Sequence, residues 1–268
     1  MANELNPPFG AFAPTAAQKA VIGFARSTFL HRGDFRPMIS GLLTGLRKGP
    51  LDMDRHGGRF RLHHADNLIE IGLLLHPTYN VQEIDFLADT LSEGVFLDIG
   101  ANIGLYSIAV ASRTANARVV AVEPGDVVLP RLHDNIAASG FEGRITVAEC
   151  AISDRTMTGG LTYKHGDRAI ARFEEGIEGG MVTRTLVDLL DDLKIDRIGA
   201  IKIDIEGREA EALGPFFREA PKSRWPRRIV IEHLTEAEWG ADLFGQLREA
   251  GYAEVGRTRQ NSLLERKP

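Results

Sequence analysis

Two acidic residues stand at the positions in this sequence where strands of a parallel sheet would end. Asp98 lies near the end of the apolar stretch 95–99, and Glu123 directly follows the stretch 118–122. Open α/β sheets bind their ligands at the carboxyl ends of the strands. A carboxylate at that edge suits a ligand with cationic groups and hydroxyls better than it suits a phosphate. The two acids therefore predict a site for a cationic, hydroxyl-bearing ligand.

A glycine-rich turn separates these acids. Gly100 and Gly104 lack a Cβ atom, so the backbone can turn sharply and a ligand can lie against it. The dinucleotide fingerprint G-x-G-x-x-G would require a second glycine where Asn102 stands, which disfavours an NAD-dependent oxidoreductase. Glu123 lies roughly 20 residues beyond the turn, the offset expected of a ribose-binding carboxylate. S-adenosylmethionine fits, because it carries an amino group, a sulfonium and ribose hydroxyls.

A third set of charged residues lies in the stretch 198–207. Lys202 and Asp204 alternate with isoleucines, so both side chains are expected on one face of a strand, and Glu206 is expected on the same side. Charged groups on a central strand are costly to bury unless they are paired or used. The pattern predicts a catalytic site that includes all three residues.

A further strand, predicted over 227–234, ends with Glu232 and His233. A hydroxyl acceptor must lose its proton, and His233 has a suitable ordinary pKa for a general base, with Asp204 and Glu206 as the other candidates. Alternatively, Asp204, Glu232 and His233 could bind Mg²⁺ or another divalent cation, which would lower the pKa of the acceptor. The sequence leaves both versions open.

Three motifs resemble those of the FkbM-type methyltransferases, within the class I S-adenosylmethionine-dependent group. They are LDIGANIG at 97–104, VEP at 122–124 and IKIDIEG at 201–207. The Lys-x-Asp-x-Glu-Gly signature separates this family from the wider class more sharply than the glycine turn does. The resemblance implies O-methylation of a small-molecule or sugar hydroxyl, with S-adenosylmethionine as the cofactor.

Cofactor contacts are expected mainly at the glycine turn and at the ends of the first two central strands. The motifs place them at Asp98, Gly100, Ala101, Asn102, Gly104, Glu123 and Pro124. The resemblance adds Ala151, just beyond the third strand, and Tyr79, which precedes the first.

Strands and helices alternate along the chain, which predicts a doubly wound α/β fold. With the resemblance, this becomes a mostly parallel, Rossmann-like seven-stranded sheet whose antiparallel edge includes 252–255 and 262–264. Residues 59–268 are predicted to form the class I methyltransferase domain, and residues 1–58 an N-terminal extension that is partly helical or mobile. The glycine-rich segment 155–180 is predicted to be a hairpin or loop near the cleft.

Composition limits the functional classes. The 268 residues carry a formal charge of −5, which gives no general attraction to nucleic acid. No apolar run approaches the roughly 20 residues that span a bilayer. The first residues show neither the basic nor the apolar region of a signal peptide, so a cytoplasmic location is expected. Cys150 is the one cysteine, which excludes an intramolecular disulfide.

Other functions remain as alternatives. A nucleic-acid methyltransferase is disfavoured by the acidic charge and by the absence of an Asn/Asp-Pro-Pro-Tyr segment. A protein methyltransferase stays open. A non-catalytic module that binds the cofactor would not need acids on the acceptor side, yet Asp204, Glu206 and Glu232 are present. The sequence does not indicate an oligomeric state.

Overall fold

The computed structural model describes residues 7–89, 91, 94–164 and 167–267. The strands are β1 Leu51–Arg55, β2 Gly58–Leu62, β3 Val95–Ile99, β4 Arg118–Val122, β5 Ile145–Ala148, β6 Ala151–Ile152, β7 Thr158–Lys164, β8 Asp167–Glu175, β9 Met181–Arg184, β10 Ile198–Ile203, β11 Arg228–Glu232, β12 Tyr252–Arg257 and β13 Asn261–Arg266. The helices are α1 Ala16–Ser27, α2 Phe35–Leu46, α3 Leu68–Leu75, α4 Val81–Ala88, α5 Leu105–Arg113, α6 Leu129–Ser139, α7 Leu186–Asp192, α8 Glu209–Glu219 and α9 Leu243–Glu249. Within these ranges, no helix has both the length and the apolar character of a membrane span.

The central sheet has seven strands in the order β12-β13-β11-β10-β3-β4-β5. β3 pairs in parallel with β10 and β4, and β13 runs antiparallel to both β11 and β12. The predicted doubly wound, mostly parallel α/β fold is therefore confirmed. The antiparallel strand lies one place inside the edge, between β11 and β12.

The strand order reverses between β3 and β10, and this reversal positions the site. From β3 the chain proceeds outward through β4 to β5, and it later returns to add β10 on the other side of β3. Ile99, Val122 and Ile203 are register partners at the ends of three neighbouring strands. The residues that follow these strand ends therefore meet at one point, where such sheets bind ligands.

Two apolar cores cover the two faces of the sheet. Side chains alternate along β3, so that Phe96 belongs to one core and Leu97 to the other. The first core includes Ile39 and Leu43 of α2, and the second includes Phe216 of α8. Each such side chain contributes roughly 1.5–3 kcal/mol when fully buried. Both cores thus hold the strand ends in fixed positions.

The N-terminal residues share the first core with the sheet. Helices α1 and α2 precede the hairpin of β1 and β2, and the predicted boundary at residue 58 falls at the start of β2. Asp52 and Arg61 form a buried ion pair of 2.8 Å across this hairpin. The second Asp52 oxygen accepts the N–H groups of Gly10 and Phe12. The division into an extension and a catalytic domain stays a prediction.

The segment 155–180 forms the expected hairpin. Strands β7 and β8 pair antiparallel, and β9 and β6 extend them into a second sheet in the order β6-β9-β7-β8. Residues 165–166, which lie between β7 and β8 in the sequence, are outside the described residues. Because β6 directly follows β5, this small sheet stands beside the carboxyl ends of the central strands.

Candidate active site

A cleft opens at the carboxyl ends of β3, β4 and β10. It encloses about 680 Å³ of empty space, including its open mouth. It is lined by Ile69, Ile99, Gly100, Asn102, Val122, Glu123, Pro124, Cys150, Ala151, Ile152, Phe173, Asp204, Ile205, Glu206 and Arg208.

The cleft brings together half of the residues that the sequence indicated. Those that line it are Gly100, Asn102, Glu123, Pro124, Ala151, Asp204 and Glu206. Those outside the lining are Asp98, Ala101, Gly104, Lys202, Tyr79, Glu232 and His233.

Gly100 makes the closest contact between the two halves of the cleft. Its φ is 77°, and a Cβ atom on it would lie 1.9 Å from the carbonyl oxygen of Asp204. The N–H groups of Gly100 and Ala101 both donate to the carbonyl of Val122, at 2.9 and 3.0 Å. Gly104, with φ of 86°, is the N-cap residue of α5. Ala101 and Gly104 therefore shape the turn from beneath the cleft.

Asn102 occupies the place of the missing second glycine in a left-handed conformation, with φ of 50°. Asparagine adopts this region more readily than most residues. Its Oδ1 accepts the Ile103 N–H at 2.9 Å and the Asn67 side-chain amide at 3.0 Å. The turn thus keeps its shape without the glycine. Asn67 was not predicted from the sequence.

Glu123 lies against the same turn. One carboxylate oxygen accepts the N–H of Asn102 at 2.8 Å, and the other accepts the N–H of Gly125 at 2.7 Å. Burial raises the pKa of Glu123 to about 7, in spite of these two hydrogen bonds. Each oxygen has a further lone pair, so the side chain can still accept hydroxyl donors from a ligand.

Asp98 does not line the cleft, although we expected it to contact the cofactor. It is fully buried, and its Oδ2 accepts the N–H of Ser107 at 2.9 Å and the Ser107 hydroxyl at 2.6 Å. Burial raises the pKa of Asp98, and the nearby Lys202 ammonium opposes that rise. Its place beneath the glycine turn points to support of the turn.

Lys202 links the two halves of the site from below. Its ammonium donates to the Gly100 carbonyl at 2.7 Å and lies 3.8 Å from Asp98 and 3.9 Å from Asp204. It also lies 5.4 Å from the centre of the Tyr106 ring. Only 4% of the residue is exposed. This arrangement favours a positioning role over the catalytic one predicted from the sequence.

Three carboxylates converge beside the cleft. Oxygens of Asp204, Glu209 and Glu232 all lie within 4.8 Å of one another. Glu209 was not predicted, yet it is fully buried and accepts the N–H groups of Ile205 at 2.8 Å and Gly207 at 3.1 Å. The signal available in the sequence was an acid in the first helical turn after the strand exit.

His233 lies outside this cluster. Its Nδ1 is 3.2 Å from the hydroxyl of Ser262, whereas the preceding Glu232 accepts the Leu234 N–H and the Thr235 hydroxyl, both at 2.9 Å. β11 ends at Glu232, so His233 lies just beyond the strand, and the two side chains have different partners. Glu209 therefore takes the place in the carboxylate cluster that the sequence analysis gave to His233.

Glu206 lines the cleft, but not for the predicted reason. β10 ends at Ile203, and Glu206 has a left-handed φ of 58°, so the alternation of a strand does not extend to it. Burial raises the pKa of Glu206 to about 7, and the negative charges of Asp204 and Glu232 add to the rise. A carboxylate with such a pKa can take up a proton near neutral pH.

Tyr79 lies away from the cleft lining. Its ring packs so closely on Gly72 that a Cβ there would be 2.6 Å from a ring carbon. The guanidinium of Arg36 lies 5.9 Å from the ring centre. The structure thus places Tyr79 among helices α2 and α3 and the loop after α3.

The hairpin of β7 and β8 borders the cleft. Phe173 is buried in its lining, and the Arg208 guanidinium lies 5.9 Å from the ring centre. Arg172 forms an ion pair of 2.9 Å with Glu238. On β7, the Tyr163 hydroxyl donates to Asp126, in the loop after β4. The hairpin therefore contacts segments that follow both β4 and β11.

The glycine turn, Glu123 and the carboxylate cluster all fall within a segment that matches a known protein family. Residues 98–253 match the methyltransferase FkbM domain. The chain belongs to the FkbM methyltransferase family. This FkbM-family protein is therefore an S-adenosylmethionine-dependent methyltransferase, as the sequence motifs predicted.

Three relatives show how the similarity is distributed. The chain is 28% identical to the AMB antimetabolite synthetase AmbE of Pseudomonas aeruginosa, with coverage of 72% of the chain and 11% of AmbE. It is 25% identical to the methyltransferase sdnD of Sordaria araneosa, with coverage of 54% and 68%. It is 26% identical to the 31-O-demethyl-FK506 methyltransferase FkbM of Streptomyces tacrolimicus, with coverage of 60% and 73%. The chain thus spans only a small part of AmbE.

Solved structures with a similar arrangement include other methyltransferases. The METTL16 methyltransferase domain is 13% identical, with a TM-score of 0.49 and coverage of 93% of this chain and 80% of that one. The precorrin-6y C5,15-methyltransferase of Geobacter metallireducens is 17% identical, with a TM-score of 0.42 and coverage of 70% and 88%.

Proposed function

We propose that this FkbM-family enzyme transfers a methyl group from S-adenosylmethionine to a hydroxyl of a small molecule or sugar. The observation that carries the proposal is the position of Asp204 and Glu206 in the same cleft as Glu123 and the glycine turn. The name of one relative specifies O-methylation of a small molecule, which supports a hydroxyl acceptor.

The residues of the cleft fit the cofactor. Glu123 retains lone pairs for ribose hydroxyls, and Gly100 has no Cβ, so the Asp204 backbone can pack against it and bring the two halves of the cleft together. Val122 and Ile152 supply apolar surface for a flat base. When bound, S-adenosylmethionine supplies a methyl group on a positively charged sulfur, which is open to displacement in line.

An acid on the acceptor side would act as the general base. Glu206 has a pKa of about 7, and a base is most effective when its pKa lies near the working pH. Asp204, its neighbour in the cleft, would orient the hydroxyl. His233 is a weaker candidate, because it is engaged with Ser262 outside the cleft lining.

Glu206→Gln is expected to lower kcat about 100-fold while the affinity for S-adenosylhomocysteine stays within about threefold, since general bases contribute at least that much. The amide keeps the size of the side chain and removes the proton acceptor. Steady-state kinetics and calorimetry on the same preparations measure both quantities. If His233→Gln lowered kcat about 100-fold while Glu206→Gln kept its kcat, His233 would be the general base instead.

A divalent cation is the second version of the mechanism. Asp204, Glu209 and Glu232 would hold it, and it would lower the pKa of the acceptor hydroxyl. Glu209 accepts two backbone N–H groups, and Glu232 accepts from Leu234 and Thr235, so protein donors hold both side chains in place without an ion. The base version needs no further group and is therefore tested first.

Mg²⁺ is expected to change the affinity for S-adenosylhomocysteine and the turnover by less than about twofold, because in the base version Glu206 takes up the proton of the acceptor without an ion. The measurement is calorimetry and kinetics with Mg²⁺ and with a chelator, with Glu232→Gln as the control. Mg²⁺-dependent turnover that disappears in Glu232→Gln would establish the metal version.

The pH dependence of cofactor binding tests Glu123. Hydroxyl donors favour the ionised carboxylate, so binding should release a proton and the affinity should rise as pH passes through the pKa of about 7. We expect about a tenfold gain from about pH 6 to about pH 8. Calorimetry in buffers of different ionisation enthalpy measures affinity and proton release. Glu123→Gln should abolish this dependence and Glu206→Gln should keep it; the reverse result would contradict the assignment.

The proposed function is tested by transfer of a labelled methyl group to panels of sugar and polyketide hydroxyls, with RNA and unrelated proteins as comparison acceptors. We expect label on hydroxyl acceptors, together with micromolar binding of S-adenosylhomocysteine. Label on RNA or protein alone would overturn the acceptor class. Binding without transfer to any acceptor class would favour a non-catalytic module.

A further inference from the structure

Exposed large apolar side chains are concentrated in the N-terminal helices. Six of the eleven large apolar side chains that are exposed within the described ranges lie between residues 24 and 46. They are Phe24, Phe29, Phe35, Met38, Leu42 and Leu46. We call this group the N-terminal apolar surface. Soluble proteins seldom cluster exposed apolar side chains unless the cluster contacts something.

Four members of this surface form a stripe along α2. Phe35, Met38, Leu42 and Leu46 follow one another at intervals of three or four residues, so they share one face of the helix. This face adjoins the one that α2 buries in the core, which carries Ile39 and Leu43 among others. The helix therefore has more apolar surface than its own core uses.

Hydrogen bonds to neighbouring elements hold the helix that carries the stripe. Gln18 of α1 donates to the Leu43 carbonyl at 3.2 Å, and Arg26 donates to the Leu74 carbonyl of α3 at 2.7 Å. Ser40 of α2 donates to the His64 carbonyl at 2.9 Å. These bonds fix α2 with its stripe outward, so refolding of the segment onto the body would have to break them.

The charge of this part of the chain is opposite to that of the rest. Residues 1–50 contain six Lys and Arg against two acids, a net charge of +4, which leaves −9 for residues 51–268. Arg32 and Lys48 are exposed just before and just after α2. Asp34 is the one acid in residues 7–50. The apolar stripe is thus flanked by cations.

We propose that the N-terminal apolar surface docks the enzyme on a bilayer that contains anionic phospholipids. Helices with Phe and Leu on one face and flanking Lys and Arg lie in the bilayer interface, where acyl chains meet anionic headgroups. A second copy fits less well, because a symmetric pairing of the stripes would bring the cations of both copies together. The acidic body would face away from the lipid.

Docking would bring the cleft near the bilayer. Helices α1 and α2 both pack on α3, whose first residue, Leu68, is 55% exposed and whose second residue, Ile69, lines the cleft. One helix thus connects the N-terminal apolar surface to the active site. Acceptors at a membrane surface would be within reach of the docked enzyme.

Flotation of the full chain with lipid vesicles tests the proposal. We expect binding to vesicles of phosphatidylcholine mixed with phosphatidylglycerol, weakened by salt, and little binding to phosphatidylcholine alone. Met38→Ser with Leu42→Ser should weaken binding about 100-fold, about tenfold for each apolar side chain withdrawn from the interface. Val182→Ser with Val255→Ser, at comparably exposed positions on the acidic body, should change nothing.

Charge reversal provides a second, independent measurement. Arg32→Glu with Lys48→Glu should weaken vesicle binding at least about 25-fold, because each cation near an anionic surface contributes about fivefold. Arg118→Glu with Lys194→Glu, also exposed, serves as the matched control. Calorimetry with S-adenosylhomocysteine shows whether each variant keeps its active site.

Three results would overturn the proposal. They are no flotation with anionic vesicles, equal loss in the control variants, or a wild-type dimer that Met38→Ser with Leu42→Ser converts to a monomer. The last result would make a second copy the partner of the stripe. Binding of an acidic protein to the stripe without vesicle binding would make that protein the partner. Cofactor binding is measured separately, so none of these outcomes bears on the proposed function.

Discussion

Gly100→Ala is expected to abolish useful cofactor binding, with a loss of at least about 100-fold in affinity for S-adenosylhomocysteine. The new methyl group would lie 1.9 Å from the Asp204 carbonyl oxygen, which is backbone and cannot rotate away. The left-handed φ of 77° adds strain for any residue with a side chain. Together these effects should lower the free energy of unfolding by about 4 kcal/mol.

Gly140→Ala is the matched control. Gly140 has a similar φ of 73°, but nothing lies within 4 Å of a Cβ built on it. This variant should therefore lose only the strain term, about 1–2 kcal/mol, and keep its cofactor affinity. Calorimetry and urea unfolding of both variants separate the effect of the contact with Asp204 from the effect of backbone strain. If the two variants lost equal amounts of stability and of cofactor affinity, the contact with Asp204 would not be what restricts residue 100.

Lys202→Met should lower the free energy of unfolding by about 3–5 kcal/mol, the cost of leaving a buried charge without its partner. Asp98 is fully buried, and Lys202 lies 3.8 Å from its Oδ1. Adding Asp98→Asn should recover most of that loss, because the amide needs no counter-charge. Urea unfolding of the single and double variants measures the coupling directly.

The same variants separate positioning from catalysis at Lys202. A positioning role predicts that stability and S-adenosylhomocysteine affinity fall together, because the Gly100 carbonyl also loses its donor. A catalytic role predicts normal stability and normal affinity with a low kcat. The second pattern would restore the assignment made from the sequence.

The sequence predicted the parts of the site that depend on strand ends. The apolar stretches before Gly100, Glu123 and Asp204 are local patterns, and the α/β topology brings their ends to one edge. Gly100, Glu123 and Asp204 consequently line the cleft. Strand ends and parallel topology together determine these positions, whereas the roles of the three residues stay predictions.

Side-chain direction beyond the strand ends was less predictable. Glu206 was placed by strand alternation, whereas it lies in a turn that two successive positive φ angles, at Glu206 and Gly207, produce. The position of Asp98 depends on Ser107, nine residues away on α5, and that of His233 on Ser262. Such pairings arise when separate segments pack together, so no local pattern could show them.

Asn67 joins the glycine turn at Asn102 to helix α3, on which α1 and α2 pack. Its Oδ1 accepts the N–H groups of Ile69 and Glu70 at the start of α3, while its amide donates to Asn102. If α3 tilts, the glycine turn at Asn102 must therefore move with it, or one of these hydrogen bonds must break. The hydrogen bonds of Asn67, together with the contact that Ile69 makes with the cleft, therefore couple the tilt of α3 to the shape of the site.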